Sequence, residues 1–204
     1  MRRIDRVRLR RALLAAALAA GAARADVEVD FIPVSPADQW DARTYRAIWE
    51  EFGPRIVAAL EARTCLPFRE STVAAIVDEA VSHSGGPEHP MRLRASYARG
   101  IKQSTLVHEL GHRHLWQLEE RLEELDGHRT LYLILDRVWA DVWGEEFAEA
   151  RVRDESSWQA EYDYAAAWSW VRSLDTAERV RLWNRLLEMN GRPADCDGIA
   201  RSGS

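Results

Sequence analysis

The stretch Met91-Arg-Leu-Arg-Ala-Ser-Tyr-Ala-Arg-Gly-Ile-Lys-Gln-Ser-Thr-Leu-Val-His-Glu-Leu-Gly-His112 decides how this chain is read. Met91 to Tyr97 alternates Met, Leu, Ala and Tyr with Arg and Ser, the two-residue period of a half-buried strand. Ser104 then supplies a hydroxyl that can cap a helix, and Asp126-Gly127 supplies a stop, so the spacing predicts a helix from Ser104 to about Leu125. On that helix residues four apart stand one turn above each other. His108 and His112 therefore share a face, with Glu109 beside them and Leu106 and Val107 on the buried side.

Working outward, Asp26 to Ile32 alternates and reads as a strand that Pro33 and Pro36 end. Ile48, Phe52, Ile56, Val57 and Leu60 recur at helical spacing over Thr44 to Ala62, although Gly53-Pro54 is expected to kink or split the segment. Val73 to Val77 is a β-branched run, and Ser84-Gly85-Gly86-Pro87 is a turn before the strand at Met91. Downstream, a helix opens at Thr130, carries Leu131, Leu133, Leu135, Val138, Trp139 and Val142, and continues to Val152. Further helical regions cover roughly Trp158 to Ser173 and Thr176 to Asn190. The expected fold class is α+β: a small, mostly antiparallel sheet, then a mainly helical C-terminal half.

The first 25 residues are arginine-rich up to Arg11, apolar from Ala12 to Ala23, and close on Ala23-Arg24-Ala25, the layout of a secretory signal peptide cut before Asp26. The apolar run is too short for a membrane anchor, which needs roughly 20 residues, and no later stretch is long enough. One domain over 26–204 follows, because no Pro-, Gly- or Ser-rich linker divides it. Removing seven arginines and one aspartate takes the net charge from −5 to about −11, and Lys102 is the lone lysine. Such an acidic chain is a poor partner for nucleic acid. Export places Cys65 and Cys196 in an oxidising compartment, periplasmic or extracellular, where the two are expected to form a disulfide.

Two imidazoles on one helical face can grip one metal ion, and Glu109 can take a proton from a water whose pKa the metal lowers. The alternative for the same residues is a polar stripe on an amphipathic helix. Val107-His-Glu-Leu-Gly-His112 resembles the zincin metallopeptidases, a resemblance confined to Val73 to Val152, and Gly111 permits close backbone approach within the motif. Leu115 and Leu118 stand where the metzincin branch has glycine and a third histidine, so the resemblance points to the gluzincin branch, whose third ligand is a glutamate on a later helix. Glu145-Glu-Phe-Ala-Glu149 matches that branch's pattern from Glu145.

On this resemblance Zn²⁺ is held by His108, His112 and Glu145, with Glu109 as general base. Glu149 and Asp141 would hydrogen-bond a ligand imidazole, and Glu146 is the rival ligand. His128, Tyr162 and Tyr164 are candidates for stabilising an oxyanion. The Met91 strand would bind an extended peptide by strand addition. The expected function is hydrolysis of a peptide bond in a peptide or protein. The alternatives are an exported non-catalytic protein with a structural or vestigial zinc site and an amidase of peptidoglycan stem peptides. Nine tryptophans are chiefly packing aromatics, with sugar binding the second reading.

Overall fold

The computed structural model describes residues 27–86 and 88–201, so the signal-peptide reading of 1–25 lies outside the described residues. Strand β1 (Glu28–Pro33) leads through a short 3-10 turn into helix α1 (Gln39–Thr64) and back to β2 (Thr72–Asp78). A loop then leads to β3 (Met91–Arg94). Five helices follow: α2 (Arg99–Leu115), α3 (Gly127–Trp143), α4 (Glu145–Ser156), α5 (Tyr164–Ser173) and α6 (Thr176–Met189).

The sheet has the order β1-β2-β3 and is parallel throughout, with Phe31 opposite Ala75 and Ile76 opposite Arg92. This corrects the expectation of a mostly antiparallel sheet. A helix between two strands returns the chain to the end where it started, which makes β1 and β2 parallel. The stretch from Glu79 to Pro90 is a dozen residues, enough for the same return without a helix. On its way back it makes the antiparallel contact that the turn residues suggested: His83 and Arg92 exchange both backbone hydrogen bonds, at 3.0 and 2.8 Å. Arg94 N–H is taken by Ser82 Oγ at 3.0 Å. The outer edge of β3, where strand addition was expected, is thus already paired at both residues.

Helix α1 runs unbroken through Pro54. Pro54 and Glu50 both lie on the exposed side, so water can satisfy the carbonyl that proline leaves without a donor. Ile48, Ile56 and Leu60 hold the buried side. Helix α2 begins five residues before Ser104, whose hydroxyl bonds Ile101 O inside the helix, and it ends at Leu115. The start is fixed instead by Lys102, a buried cation that bonds the carbonyls of Ala95 and Tyr97 and pairs with Asp41 at 2.9 Å. Leu118, Leu122 and Leu125 stay buried in the turns that follow.

The helix expected from Thr130 to Val152 is two helices, because Gly144 has φ +92 and turns the chain between α3 and α4. Cys65 and Cys196 form a disulfide. Beside it Arg63 grips both carboxylate oxygens of Asp141, at 2.6 and 2.5 Å, and the carbonyls of Gly198 and Arg201, tying the C-terminal residues to α1 and α3. The buried side chains form one core under one face of the sheet and between the helices. Among the described residues no helix is long and apolar enough to cross a membrane.

Candidate metal centre

Helices α2 and α3 cross at Gly111. A Cβ built there would lie 2.6 Å from Leu131 Cδ1, so with glycine the two helices come this close without Leu131 having to shift. The crossing sets the first turn of α3 against the middle of α2. His108, His112 and His128 then offer ring nitrogens that all lie within 4.8 Å of one another, a group that could hold a metal ion. Each helix brings its histidines there for a legible reason. His128 stands three, four and seven residues before Leu131, Tyr132 and Leu135, all buried, so it belongs to the inward stripe of α3.

The pair on α2 has ligand geometry. His108 Nε2 and His112 Nε2 face each other at 3.2 Å. Nitrogens bound at about 2.0–2.1 Å to one tetrahedral zinc stand roughly 3.4 Å apart. A direct hydrogen bond between these rings would need one Nε2 to carry a proton. His108 Nδ1 already donates to Glu155 Oε1 at 2.9 Å, which leaves its Nε2 as a lone pair when the ring is neutral. Burial, with the repulsion of His108 and His128 added, holds His112 well below the usual histidine range. Burial also brings His128 down to about 4, with His108 opposing protonation and Asp126 and Glu155 favouring it. Neutral imidazoles of this kind are what a cation requires of its ligands. Burial pulls His108 down as well, but the charge and hydrogen bond of Glu155, together with Glu109, outweigh it and leave the ring above its ordinary value.

Glu155 is the functional residue that reading the sequence missed. It is 1 % exposed and receives three donors: His108 Nδ1, Tyr132 Oη at 2.9 Å and Trp168 Nε1 at 3.0 Å. Tyr132 and Trp168 stack at 3.9 Å and wall the carboxylate off from water. The signal for it lay in α4, where Ala148, Val152 and Glu155 recur at i, i+4 and i+7 and are the buried positions of the helix. An acid in an apolar stripe needs a partner.

Glu109 lies beside the histidines, 7 % exposed, and among the described residues no hydrogen bond reaches its carboxylate. Burial pushes it up to about 7, with His108 opposing and Glu155 adding to the shift. The aromatic candidates gather around His128. Tyr162 stacks on it at 4.2 Å and donates to Asp126, at 3.0 Å to each oxygen, while Tyr164 meets its edge at 5.1 Å. Burial, followed by the charges of Glu109, Glu155 and Tyr97, raises Tyr164 to about 12, so the phenol stays protonated.

The acidic cluster at the start of α4 lies elsewhere. Glu145 faces Arg137 at 3.4 Å with 71 % of its side chain exposed, Glu149 pairs with Arg172 at 2.6 Å, Glu146 is exposed, and Asp141 is held by Arg63. The structure therefore brings His108, Glu109, His112, His128 and Tyr164 together, and does not bring these four acids to them. Distance along the chain is the reason. Glu145 stands 17 residues after His128, about 25 Å of helical rise, so no continuation of α3 would bring it to the first turn. The turn at Gly144 instead lets α4 pack back on α3 and carry Glu155 to His108.

Comparison with known protein families, with curated proteins and with solved structures finds no match for this chain. The chemistry of the centre is that of three imidazoles, His108 buried and His112 and His128 half-buried, with a carboxylate behind the His108 ring and another beside it.

Proposed function

We propose that the chain is an exported zinc-dependent hydrolase of peptide bonds, with His108, His112 and His128 as the metal ligands. The observation that carries this reading is the facing pair of Nε2 atoms at 3.2 Å, one ring oriented by buried Glu155, with Glu109 alongside. A structural zinc site uses a closed set of ligands and has no need of a fourth acidic group. Three histidine ligands would leave room for a water, and Glu109 is the carboxylate that could serve it beside His108.

A bound zinc ion supplies a Lewis acid and a water of lowered pKa. Glu109 takes the proton of the attacking water and returns it to the leaving amine. Its burial suits both steps, since a carboxylate whose proton affinity is raised towards neutrality can accept and release at physiological pH. Tyr164 donates a hydrogen bond to the developing oxyanion. Among the three candidates it fits best, because Tyr162 is committed to Asp126 and His128 to the ligand set. Glu155 holds the His108 ring with Nε2 inward. The disulfide and the signal-like first 25 residues support export.

Metal content measured on purified variants tests the ligand set. His128→Ala loses zinc, Glu145→Ala keeps it, and Glu109→Gln keeps it while hydrolysis is lost. Zinc retained in His128→Ala but lost in Glu145→Ala would return the third position to the glutamate. Digestion of casein against isolated cell-wall sacculi separates a peptidase from a stem-peptide amidase. A zinc-loaded protein inactive on both, with Glu109→Gln indistinguishable from wild type, would make the site structural.

A further inference from the structure

A parallel sheet is ordinarily covered on both faces, because the helices that make its strands parallel lie against it. Here α1 lies on one side, and the return from β2 to β3 is a loop, so among the described residues no crossover helix covers the second face. Val29, Phe31, Val73, Val77, Met91 and Leu93 fill the covered side. The alternate residues reach solvent, and their charge is sorted. Glu28 and Asp30 are exposed on β1, Ala74 and Ile76 are half-buried in the middle, and β3 presents Arg92 and Arg94, of which Arg92 forms an ion pair with Asp78 of β2 at 2.6 Å.

The exposed apolar side chains are sorted too. Of the five large ones among the described residues, Ile32, Val34, Trp40 and Val81 are 43, 63, 73 and 72 % exposed and belong to the C-terminal end of the sheet, and Met189 closes α6. Val34 N–H bonds Val77 O, Val81 follows β2 by three residues, and Trp40 opens α1.

We propose that a second copy of this chain covers the open face, about a twofold axis parallel to the strands. Such an axis reverses the order of the strands and keeps their direction. β1 of each copy then lies over β3 of the other, so Asp30 meets Arg92 twice, and the C-terminal ends of the two sheets, with Ile32 and Val34, come together. A twofold axis across the strands would set acid over acid and part the apolar ends. In register Asp30 is level with Ala74 and Arg92 with Ile76, an offset of about 7 Å along the strands that an arginine side chain spans. Three short strands make a small interface, and the association is weak and concentration-dependent. It does not depend on the metal centre.

Sedimentation equilibrium of the full chain over a range of concentrations tests it. Wild type fits a monomer–dimer equilibrium. Asp30→Lys and Arg92→Glu each weaken it by roughly tenfold or more, since each sets like charges face to face. An equimolar mixture of the two variants restores the dimer, because the mixed pair has one native and one charge-exchanged contact. Ile76→Arg, at the centre of the face, abolishes association, and it decides the matter if Arg92→Glu fails a circular-dichroism check of folding. A wild type that stays monomeric at all concentrations overturns the proposal. So does a dimer indifferent to Asp30→Lys and Ile76→Arg, or a mixture of two folded variants that stays monomeric.

Discussion

At the scale of single residues, Glu155 decides whether two histidines on a helix are a metal site or a polar stripe. Its carboxylate is out of reach of water and takes the Nδ1 proton of His108, fixing which nitrogen faces His112. Removing such a partner typically costs about 10–100-fold in metal affinity. Glu155→Gln keeps an acceptor for Tyr132 and Trp168 but loses the charge, so the expected outcome is a loss of that size in chelator-competition titrations with the thermal melt little changed. Tyr132→Phe, which removes one of the donors that hold the carboxylate, gives a smaller loss in the same direction. Unchanged affinity in Glu155→Gln would mean that the ring is oriented by its packing alone. His108, Glu109 and His112 were legible because their spacing is itself the signal. Glu155 was not, because it is distant in sequence and marked only by a polar residue at an apolar position, and His128 reads in the sequence as an oxyanion candidate rather than as a member of the histidine group.

At the scale of elements, two glycines that look alike in the sequence do different work. Gly111 is helical, and an alanine there would bring its Cβ to 2.6 Å from Leu131 Cδ1, so the fully buried Leu131 must shift within the core. Overpacking of this kind costs about 1–3 kcal/mol, and the helices it pushes apart carry His112 and His128. Gly144 has open space around it but a backbone, φ +92 and ψ 163, that is essentially glycine's alone, at a cost of about 1–3 kcal/mol for another residue. Gly111→Ala is therefore expected to lower both the urea midpoint and the metal affinity, whereas Gly144→Ala lowers the midpoint and reaches the metal only through Glu155 on α4, with a smaller loss of affinity. Equal metal affinities in the two folded variants would sink the claim that the crossing at Gly111 sets the site. The apolar stripes of α3 and α4 were readable, but the break between them was not, since a lone glycine in a helical pattern does not announce its φ. That hidden break lets α4 pack back on α3, so that Glu155 near its end reaches His108 while the acids of its first turn stay at the far end of α3.

At the scale of the whole molecule, the strand positions were legible in the sequence and their directions were not. Alternation locates β1, β2 and β3, but direction depends on where the connection runs, and the dozen residues before Met91 fit a hairpin loop as well as a crossover. The cysteines were legible as a pair once export was read, and their position makes a prediction about how stability is divided. The disulfide closes a separation of 131 residues, for which the loop-entropy argument gives about 5 kcal/mol. Arg63, bonded to Asp141, Gly198 and Arg201, holds the same two regions together without it. The metal centre lies on α2, α3 and α4 and draws none of its groups from the C-terminal residues that the disulfide anchors. Reduction, or the Cys65→Ser/Cys196→Ser pair, is therefore expected to lower the urea midpoint sharply while zinc stays bound at 25 °C in the absence of denaturant. Thiol release and zinc release followed in the same sample check this. Zinc that leaves in step with reduction would mean that the C-terminal anchor positions the ligand helices as well as stabilising the fold.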